Sequence, residues 1–281
     1  GSVVNIVLLV FKFMAGILGG SAAMIADAVH SLSDFMTDIV VLLFVKISSK
    51  PEDKDHDYGH GKYETLATSM IGVALLCVGL YILYSGAYRT WAAFKGSPIE
   101  QPGIVALWAA LFSIVMKEWT YRFTAKVGKE VQSQAVVANA WHHRSDALSS
   151  IGTAVGIGGA IFLGKEWAVL DPIAAVVVSI FIIRTAAMLV SGALDELLEK
   201  SLPDEEERKI EEIVQSEPEV SGIHHLCTRR IGNRIAIEMH LRMPGEISLN
   251  ESHEHATNIE RKLRNHFGER THINIHVEPL K

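Results

Sequence analysis

The chain has 281 residues, of which 49% are hydrophobic, with a mean hydropathy of +0.23 and a formal net charge of −6. A soluble domain rarely combines such apolar content with several long segments that carry almost no charge. The sequence has no block of basic residues, which argues against a nucleic-acid partner. The two cysteines, Cys77 and Cys227, lie far apart and form no disulfide framework, as in proteins of a reducing compartment.

Six segments are apolar enough, and long or nearly long enough, to be membrane-spanning helices, since a bilayer core needs about 20 apolar residues. They are residues 3–20, 22–47, 66–90, 103–124, 133–163 and 169–194. Asp171 can cap the sixth helix, and Pro172 fits its first turn. The composition becomes acidic and polar near residue 200. We therefore predict a transmembrane domain at 1–200 and a soluble domain at 201–281.

Lysine and arginine are distributed unevenly between the predicted connections, and this sets the orientation. The connections after the second and fourth spans are rich in basic residues, namely Lys46, Lys50, Lys54 and Lys62, and Lys117, Arg122, Lys126 and Lys129. The other two long connections have few, namely Arg89, Lys95 and Lys165. The bias predicts six passes with both termini in the cytosol.

The soluble tail shows an α-β-β-α-β pattern. We predict helices at 204–216 and 249–267 and strands at 223–230, 234–242 and 272–278. Hydrophobic and polar residues alternate in "RIAIEMHLRM" and "THINIHVEP", which is typical of strands with one buried face. The order implies an α+β domain with its helices on one side of a three-stranded sheet. Eight of the 13 histidines lie in this tail, more than folding requires.

The second predicted span carries a polar stripe. Asp27, His30, Asp34 and Asp38 fall on one helical face. A charged residue at the centre of a spanning helix costs about 2.5–3.5 kcal/mol. The fifth span has a matching face, on which Asn139, His142 and Asp146 lie. These groups either bind a ligand or pair with each other and fix helix packing, and their repetition on two helices favours a ligand.

His30, Asp34, His142 and Asp146 would provide two imidazoles and two carboxylates. This set suits tetrahedral Zn²⁺, with metal–ligand distances of about 2.0–2.2 Å. It suits Mg²⁺ and Ca²⁺ poorly, because these ions prefer more oxygen ligands. We interpret the adjacent His143 as a non-ligand, because it lies about 100° away around the helix. Zn²⁺, Fe²⁺, Co²⁺ and Mn²⁺ all remain open.

The paired HxxxD motifs, "HDYGHGK" after the second span, "LDP" before the sixth and the final "INIHVEP" together resemble the cation diffusion facilitator family over essentially the whole chain. The resemblance implies a homodimeric exporter that moves divalent transition metals out of the cytosol in exchange for protons, and a metallochaperone-like cytosolic domain. In a bacterium its membrane would be the inner, plasma membrane.

The resemblance also assigns residues. The family's transport site falls on His30, Asp34, His142 and Asp146, and histidine at the first position is similar to the zinc-preferring members. A loop site falls on Asp53, His56 and His60, although a solvated polar loop is an equal alternative. A binuclear zinc site in the tail maps onto His224, His240, His253, His276 and Glu278, where some members have aspartate in place of Glu278.

The resemblance also bears on residues outside the three metal sites. The family's charge interlock maps onto Lys62 and Glu199, with aspartate common at the second position. Asp27 belongs to the family's "ADAxHS" string and is not assigned as a ligand. No family role falls on four tail histidines, which we interpret as surface residues: His225, His255, His266 and His272.

Three functions compete. The first is a Zn²⁺/H⁺ antiporter that works by alternating access, with zinc as both substrate and regulatory ligand. The second is a membrane metal sensor or scaffold that binds zinc and transports nothing. The third, an intramembrane metalloprotease, is disfavoured because the sequence has no HExxH motif. We therefore expect no enzymatic activity.

Overall fold

The computed structural model describes residues 2–48, 50–130, 147, 150–232 and 234–280. The helices in these ranges are α1 (Ser2–Leu18), α2 (Ala22–Ser48), α3 (Lys62–Phe94), α4 (Ile104–Glu130), α5 (Ser150–Phe162), α6 (Leu170–Leu197), α7 (Asp204–Gln215) and α8 (Leu249–Phe267). A short 3-10 helix, Lys165–Val169, precedes α6. The strands are β1 (Gly222–Ile231), β2 (Arg234–Met243) and β3 (His272–Pro279).

The described residues form two compact units. The first lies within Gly1–Ile39 and Ile71–Met188, and the second within Val40–Met70 and Leu189–Lys281. The segment between α2 and α3 thus folds in one unit with the tail. The predicted domain boundary at residue 200 stays a prediction.

Three helices of the described chain are long and apolar enough to cross a membrane, namely Lys62–Phe94, Ile104–Val127 and Lys165–Leu197. Two shorter apolar helices are Ile6–Leu18 and Ser150–Phe162. The helical membrane class is confirmed, and six passes with cytosolic termini stay a prediction. Lys117 lies inside α4, as the predicted fourth span implies, and has 7% of its surface exposed.

Small residues bring the helices of the first unit close together. A Cβ atom on Gly156 of α5 would lie 2.4 Å from the Cβ of Ala174 on α6. A Cβ atom on Gly86 of α3 would lie 2.9 Å from a methyl of Val176. Apolar helices in lipid associate through such close contacts, because burial from water does not drive their packing.

Asp171 caps a different helix from the one predicted. It lies inside α6, and its carboxylate accepts hydrogen bonds from the Ser21 hydroxyl at 2.5 Å and the Ala22 N–H at 2.7 Å. The Ser21 hydroxyl in turn accepts from the N–H of Met24 at 3.0 Å. The first N–H groups of α2 have no partner within their own helix, and the Asp171 carboxylate accepts from two of them, those of Ala22 and, at 3.4 Å, Ala23. The prediction failed because helix periodicity cannot show which neighbouring helix end a capping residue will reach.

The tail agrees with its predicted order, and each element ends within one residue of its predicted bounds. The sheet has the order β1-β2-β3, with β1 and β2 antiparallel and β2 and β3 parallel. One face of β2 carries Ile235, Ile237, Met239 and Leu241, all buried in a core shared with α7 and α8. The opposite face of β2 carries the polar side chains of Glu238, His240 and Arg242, which lie outside the core.

The α2–α3 loop packs on the β1–β2 turn. A Cβ atom on Gly61 would lie 2.3 Å from the carbonyl oxygen of Ile231, and one on Gly232 would lie 2.7 Å from the carbonyl oxygen of Gly61. Gly232 also has a φ of 63°, which favours glycine. The Glu196 side chain accepts hydrogen bonds from the N–H of Gly232 at 2.7 Å and the hydroxyl of Thr65 at 2.6 Å. Backbone contacts and the Glu196 hydrogen bonds therefore join the α2–α3 loop and the start of α3 to the end of α6 and the β1–β2 turn.

We expect Gly61→Ala to destabilise the second unit by about 1–3 kcal/mol, because the new methyl would overlap backbone that cannot move aside easily. Thermal unfolding of the purified protein in detergent measures the change. Gly245→Ala is the matched control, since its Cβ would meet its nearest neighbour, Pro279, at 3.7 Å. Equal melting temperatures for Gly61→Ala and Gly245→Ala would contradict this packing.

Candidate metal centres

The strand register lines up three histidines across the tail sheet. His224 pairs with His240, and His240 pairs with His276. All three occupy the face opposite the hydrophobic core, because side chains alternate along a strand. Neighbouring strands lie about 4.8 Å apart, so three imidazoles arrive side by side without any special loop.

A carboxylate completes this row. The Nδ1–H of His240 donates to Oε1 of Glu278 at 3.0 Å, and Nε2 of His224 lies 3.2 Å from Oε2. One donor atom from each of the three residues lies within 4.8 Å of the other two. Two imidazoles and one carboxylate at this spacing form a donor set that Zn²⁺ accepts.

Electrostatics favours the charged form of Glu278. Partial burial raises the pKa of Glu278, but the hydrogen bond from His240 and the nearby His224, His240 and His276 lower it more, to below its ordinary value of 4.5. A carboxylate with a lowered pKa stabilises the fold above its ordinary pKa, and this stability is lost as the pH falls through the lowered value. At neutral pH Glu278 is therefore ionised, as a metal ligand must be.

The other predicted tail ligands differ in position. His276 lies at the edge of the cluster, with Nε2 3.8 Å from Oε1 of Glu278 and its ring 4.8 Å from that of His240. His253 lies on α8 with an exposed side chain and does not join the cluster in the described chain. His225, which we interpreted as a surface residue, places its ring 5.1 Å from that of His240. It lies at an irregularity in β1 with a φ of 50°, a break in register that alternation along the strand could not reveal.

His255, which we interpreted as a surface residue, is partly buried. Its Nδ1–H donates to Oε1 of Glu217 at 2.9 Å, and the ammonium of Lys262 contacts the same carboxylate at 2.8 Å. Glu217 has 6% of its surface exposed. His255 therefore joins α8 to the end of α7. His266 lies against Phe267, and His272 lies against Tyr58.

The three predicted loop ligands lie together in the α2–α3 connection. Oδ1 of Asp53 is 3.3 Å from Nδ1 of His56, and Oδ2 is 3.3 Å from Nε2 of His60. One donor atom of each residue lies within 4.8 Å of the others. The Asp53 carboxylate also accepts the N–H groups of Asp55 and His56 at 3.0 and 2.9 Å, a turn that aspartate favours.

Two further observations favour a ligand in this loop. His60 has 8% of its surface exposed, and its Nδ1 is buried with no hydrogen-bond partner in the described residues. Buried polar atoms normally have a partner, so an unpaired ring nitrogen requires an explanation. The backbone hydrogen bond from Asp55 lowers the pKa of Asp53, and the hydrogen bond from His56 lowers it further. Asp53 thus stays ionised at neutral pH.

Lys62 and Glu199 form an ion pair within one chain. Glu199 also contacts Nε of Arg229 at 2.9 Å. Glu199 ends α6 in the left-handed region, with a φ of 62°, and the N–H of Lys200 bonds back to the carbonyl of Asp195. Glycine is the usual residue at such a helix end. Glutamate there provides a carboxylate for two cations, and its role at a dimer contact stays a prediction.

The membrane site is described only in part. His30 lies on α2, and its Nδ1 is buried with no hydrogen-bond partner among the described residues. Asp34 lies on the same helix, and its side chain is outside the described set, as is that of Asp38. His142, Asp146, Asn139 and His143 lie outside the described residues altogether. The four predicted transport ligands therefore stay a prediction.

Comparison with known proteins identifies the family. Residues 1–198 match the cation efflux transmembrane domain, and residues 202–280 match the cation efflux protein cytoplasmic domain. The chain belongs to the cation diffusion facilitator family. Members of this family export divalent metal cations and are transporters rather than enzymes. The family's cytoplasmic domain is a dimerisation domain, consistent with a homodimer.

Individual relatives are metal-handling proteins, and one of them is named for manganese. Metal tolerance protein C1 of Arabidopsis thaliana is 34% identical over 99% of this chain, which spans 61% of the plant protein. The manganese efflux system protein MneP of Bacillus subtilis is 31% identical over 99% of this chain and 93% of its own length. Among solved structures, the metal-bound C-terminal domain of the CzcD transporter from Thermotoga maritima is 26% identical. It covers 28% of this chain and 94% of its own, with a TM-score of 0.25.

We expect Zn²⁺ to raise the melting temperature of the protein, and His240→Ala to remove most of the tail's share of that gain. A ligand that binds only the folded state stabilises it by about 2.7 kcal/mol at 100 times its dissociation constant. Thermal unfolding in detergent with and without Zn²⁺ measures this. His266→Ala is the control, because its ring lies outside the cluster. An equal zinc effect in His240→Ala and the parent protein would disprove the tail site.

Proposed function

We propose that the protein is a Zn²⁺/H⁺ antiporter that exports zinc from the cytosol by alternating access. The transport ligands are His30, Asp34, His142 and Asp146. The tail cluster binds zinc as a regulator and stabilises the homodimer. Six passes, with both termini in the cytosol, complete the arrangement.

The observation that carries the proposal is the position of His30. An imidazole whose buried Nδ1 has no hydrogen-bond partner within the described part of the chain lies on a largely apolar helix, four residues before an aspartate. Buried polar atoms without a partner are rare, and ionisable groups inside a membrane generally serve function. A transported cation gives that nitrogen its partner during part of each cycle.

The donor types support zinc. Two nitrogens and two carboxylate oxygens satisfy a tetrahedral Zn²⁺ ion, which has no preference for higher coordination. His240, His224 and Glu278 in the tail offer the same types of donor. A regulator that selects the same ion as the transport site can respond to the cytosolic supply of its substrate.

Proton exchange follows from the same ligands. Imidazole and carboxylate must lose protons before they bind metal, so metal and protons compete for one site. Imidazole side chains as a class titrate near pH 6.5, within the range of cytosolic and external pH. A proton gradient can therefore drive release of the cation on the acidic side.

Manganese is the second candidate substrate. It is favoured by the likeness to the manganese efflux protein of Bacillus subtilis over nearly the whole chain. Mn²⁺ prefers oxygen ligands, so two histidines in the site would disfavour it relative to zinc. Flux of Zn²⁺, Mn²⁺, Fe²⁺ and Co²⁺ into proteoliposomes, measured at equal concentrations, separates these substrates.

We expect His142→Ala to lower saturable Zn²⁺ flux at least about 100-fold, because loss of a direct ligand should exceed the 10–100-fold effect of outer-shell changes. The measurement is zinc uptake into proteoliposomes, with internal pH followed in the same vesicles. Zinc and counter-proton fluxes should fall together. His143→Ala is the matched control, because in an ideal helix this adjacent histidine falls about 100° from the proposed ligand face.

Normal flux in His142→Ala would remove this residue from the transport site. A parent protein that binds zinc tightly but moves none would support the sensor or scaffold function. Zinc flux without proton movement would contradict the antiporter.

His30→Asp should admit Cd²⁺ while Zn²⁺ transport continues. The change replaces a nitrogen ligand with a carboxylate, which gives a site richer in oxygen and with a looser geometry. We expect the Cd²⁺/Zn²⁺ flux ratio to rise about tenfold, the scale on which ligand surroundings alter metal affinity. If the ratio matches that of the parent protein, His30 does not set selectivity.

A further inference from the structure

An ion pair is enclosed within the first unit, where α1, α2 and α5 meet. The ammonium of Lys12 lies 2.6 Å from Oδ2 of Asp27, and both side chains have no exposed surface. The hydroxyl of Ser150 donates to the two carboxylate oxygens of Asp27 at 3.0 and 3.3 Å. Lys12 also donates to the hydroxyl of Ser31 at 2.9 Å. One carboxylate thus joins three helices.

Stability alone does not explain these charges. Removing two charges from water is expensive, and well-packed apolar residues in place of a buried ion pair often leave a protein equally or more stable. The surrounding helices already pack through alanine and other small side chains, such as Ala23, Ala26 and Ala154. An ion pair at this place therefore fixes a geometry that apolar contacts leave adjustable.

The ion pair lies beside the proposed transport ligands. Asp27 precedes His30 by three residues, so the two share a face of α2. Ser31, which Lys12 contacts, directly follows His30. Ser150 follows Asp146 by four residues, which is one turn in the predicted fifth span. The Asp27–Ser150 hydrogen bond thus connects α2 with α5, the helix that is predicted to continue to the second ligand pair. By sequence, each partner lies about one turn from the nearer ligand of its pair, His30 or Asp146.

We infer that Asp27 is a positioning residue for the transported cation. Its hydrogen bonds from Ser150 fix the spacing between α2 and α5, and therefore the distance between the two ligand pairs. Lys12 neutralises the Asp27 carboxylate, so that this third acid does not itself bind the cation. The inference rests on the transport site proposed above.

The test measures Zn²⁺ flux by the full chain in proteoliposomes over a range of zinc concentrations. Ser150→Ala removes the bond between α2 and α5 and leaves the ion pair intact. We expect its KM for zinc to rise about tenfold, because outer-shell changes typically weaken metal sites 10–100-fold. The maximal rate should change far less. Ser150→Thr keeps the hydroxyl and should restore the parent KM.

Thr153→Val is the matched control. Thr153 lies on the same helix, is fully buried, and its hydroxyl has no hydrogen-bond partner in the described chain. The change removes a buried hydroxyl without altering side-chain shape. It should leave the KM unchanged, so an equal KM shift in Thr153→Val and Ser150→Ala would show that α5 packing, rather than Asp27, is responsible.

A charge test uses the other two partners. Lys12→Met leaves the Asp27 carboxylate without its ion-pair partner, and Asp27→Asn leaves the buried ammonium of Lys12 without a counter-charge, so each single change should impair transport or folding. The double variant Lys12→Met/Asp27→Asn removes both charges of this ion pair and leaves Lys117, whose positive charge also acts on Asp27, in place. The amide oxygen of the new asparagine can still accept from Ser150. The double variant should recover a KM near that of the parent, and failure to recover would overturn the neutralising role of Lys12.

His142→Ala, assayed in parallel, distinguishes failure of the proposed transport site from failure of the positioning role of Asp27. If His142→Ala transports normally, the proposed ligand set is wrong. If His142→Ala is inactive while Ser150→Ala keeps the parent KM, the transport site stands and the positioning role of Asp27 is wrong.

Discussion

A carboxylate enclosed among apolar helices needs a counter-charge or several hydrogen-bond donors, and the first unit is organised around this constraint. Asp27 has a lysine from α1 and a hydroxyl from α5. Asp171 has a hydroxyl and the first N–H of α2. In both cases the partners come from other helices. The polar groups therefore decide which helices are neighbours, and small apolar residues allow those neighbours to approach. His30 differs from both, because its buried nitrogen has no such partner in the described residues.

The second unit is held differently. Its ion pairs are partly exposed to solvent, and they surround a close contact between two backbone segments. Gly61 and Gly232 allow two backbone segments to touch, and the carboxylates of Glu196 and Glu199 bind groups from the loop and from the β-hairpin. The loop that carries Asp53, His56 and His60 also places Glu52 against Arg234 at 2.7 Å. Metal binding or protonation in this loop would therefore change the charge next to the Glu52–Arg234 ion pair, which joins the loop to the β1–β2 hairpin.

The sequence predicted the tail well, because alternation along strands and helix periodicity are local properties that the chain itself displays. The same alternation placed His224, His240 and Glu278 on one face, and the short spacing of Asp53, His56 and His60 made their meeting in a loop plausible. The sequence did not predict contacts between residues on different elements. The target of Asp171, the bond from His255 to Glu217, and the approach of His225 to His240 all depend on which elements become neighbours or on an irregularity in one strand. Periodicity holds no information about either.

The parallel pairing of β2 with β3 ties the alignment of the histidine row to the packing of the core. His240 stands opposite His276, and on either side Met239 stands opposite Ile275 and Leu241 opposite Val277. Because side chains alternate, a slip of one residue in β3 would turn histidines into the core and isoleucines into solvent. Burial of the hydrophobic face therefore fixes the register of β3, and with it the alignment of the histidine side chains. A folded tail therefore has His240 and His276 side by side already, and a metal ion that bound there would require no movement of a strand.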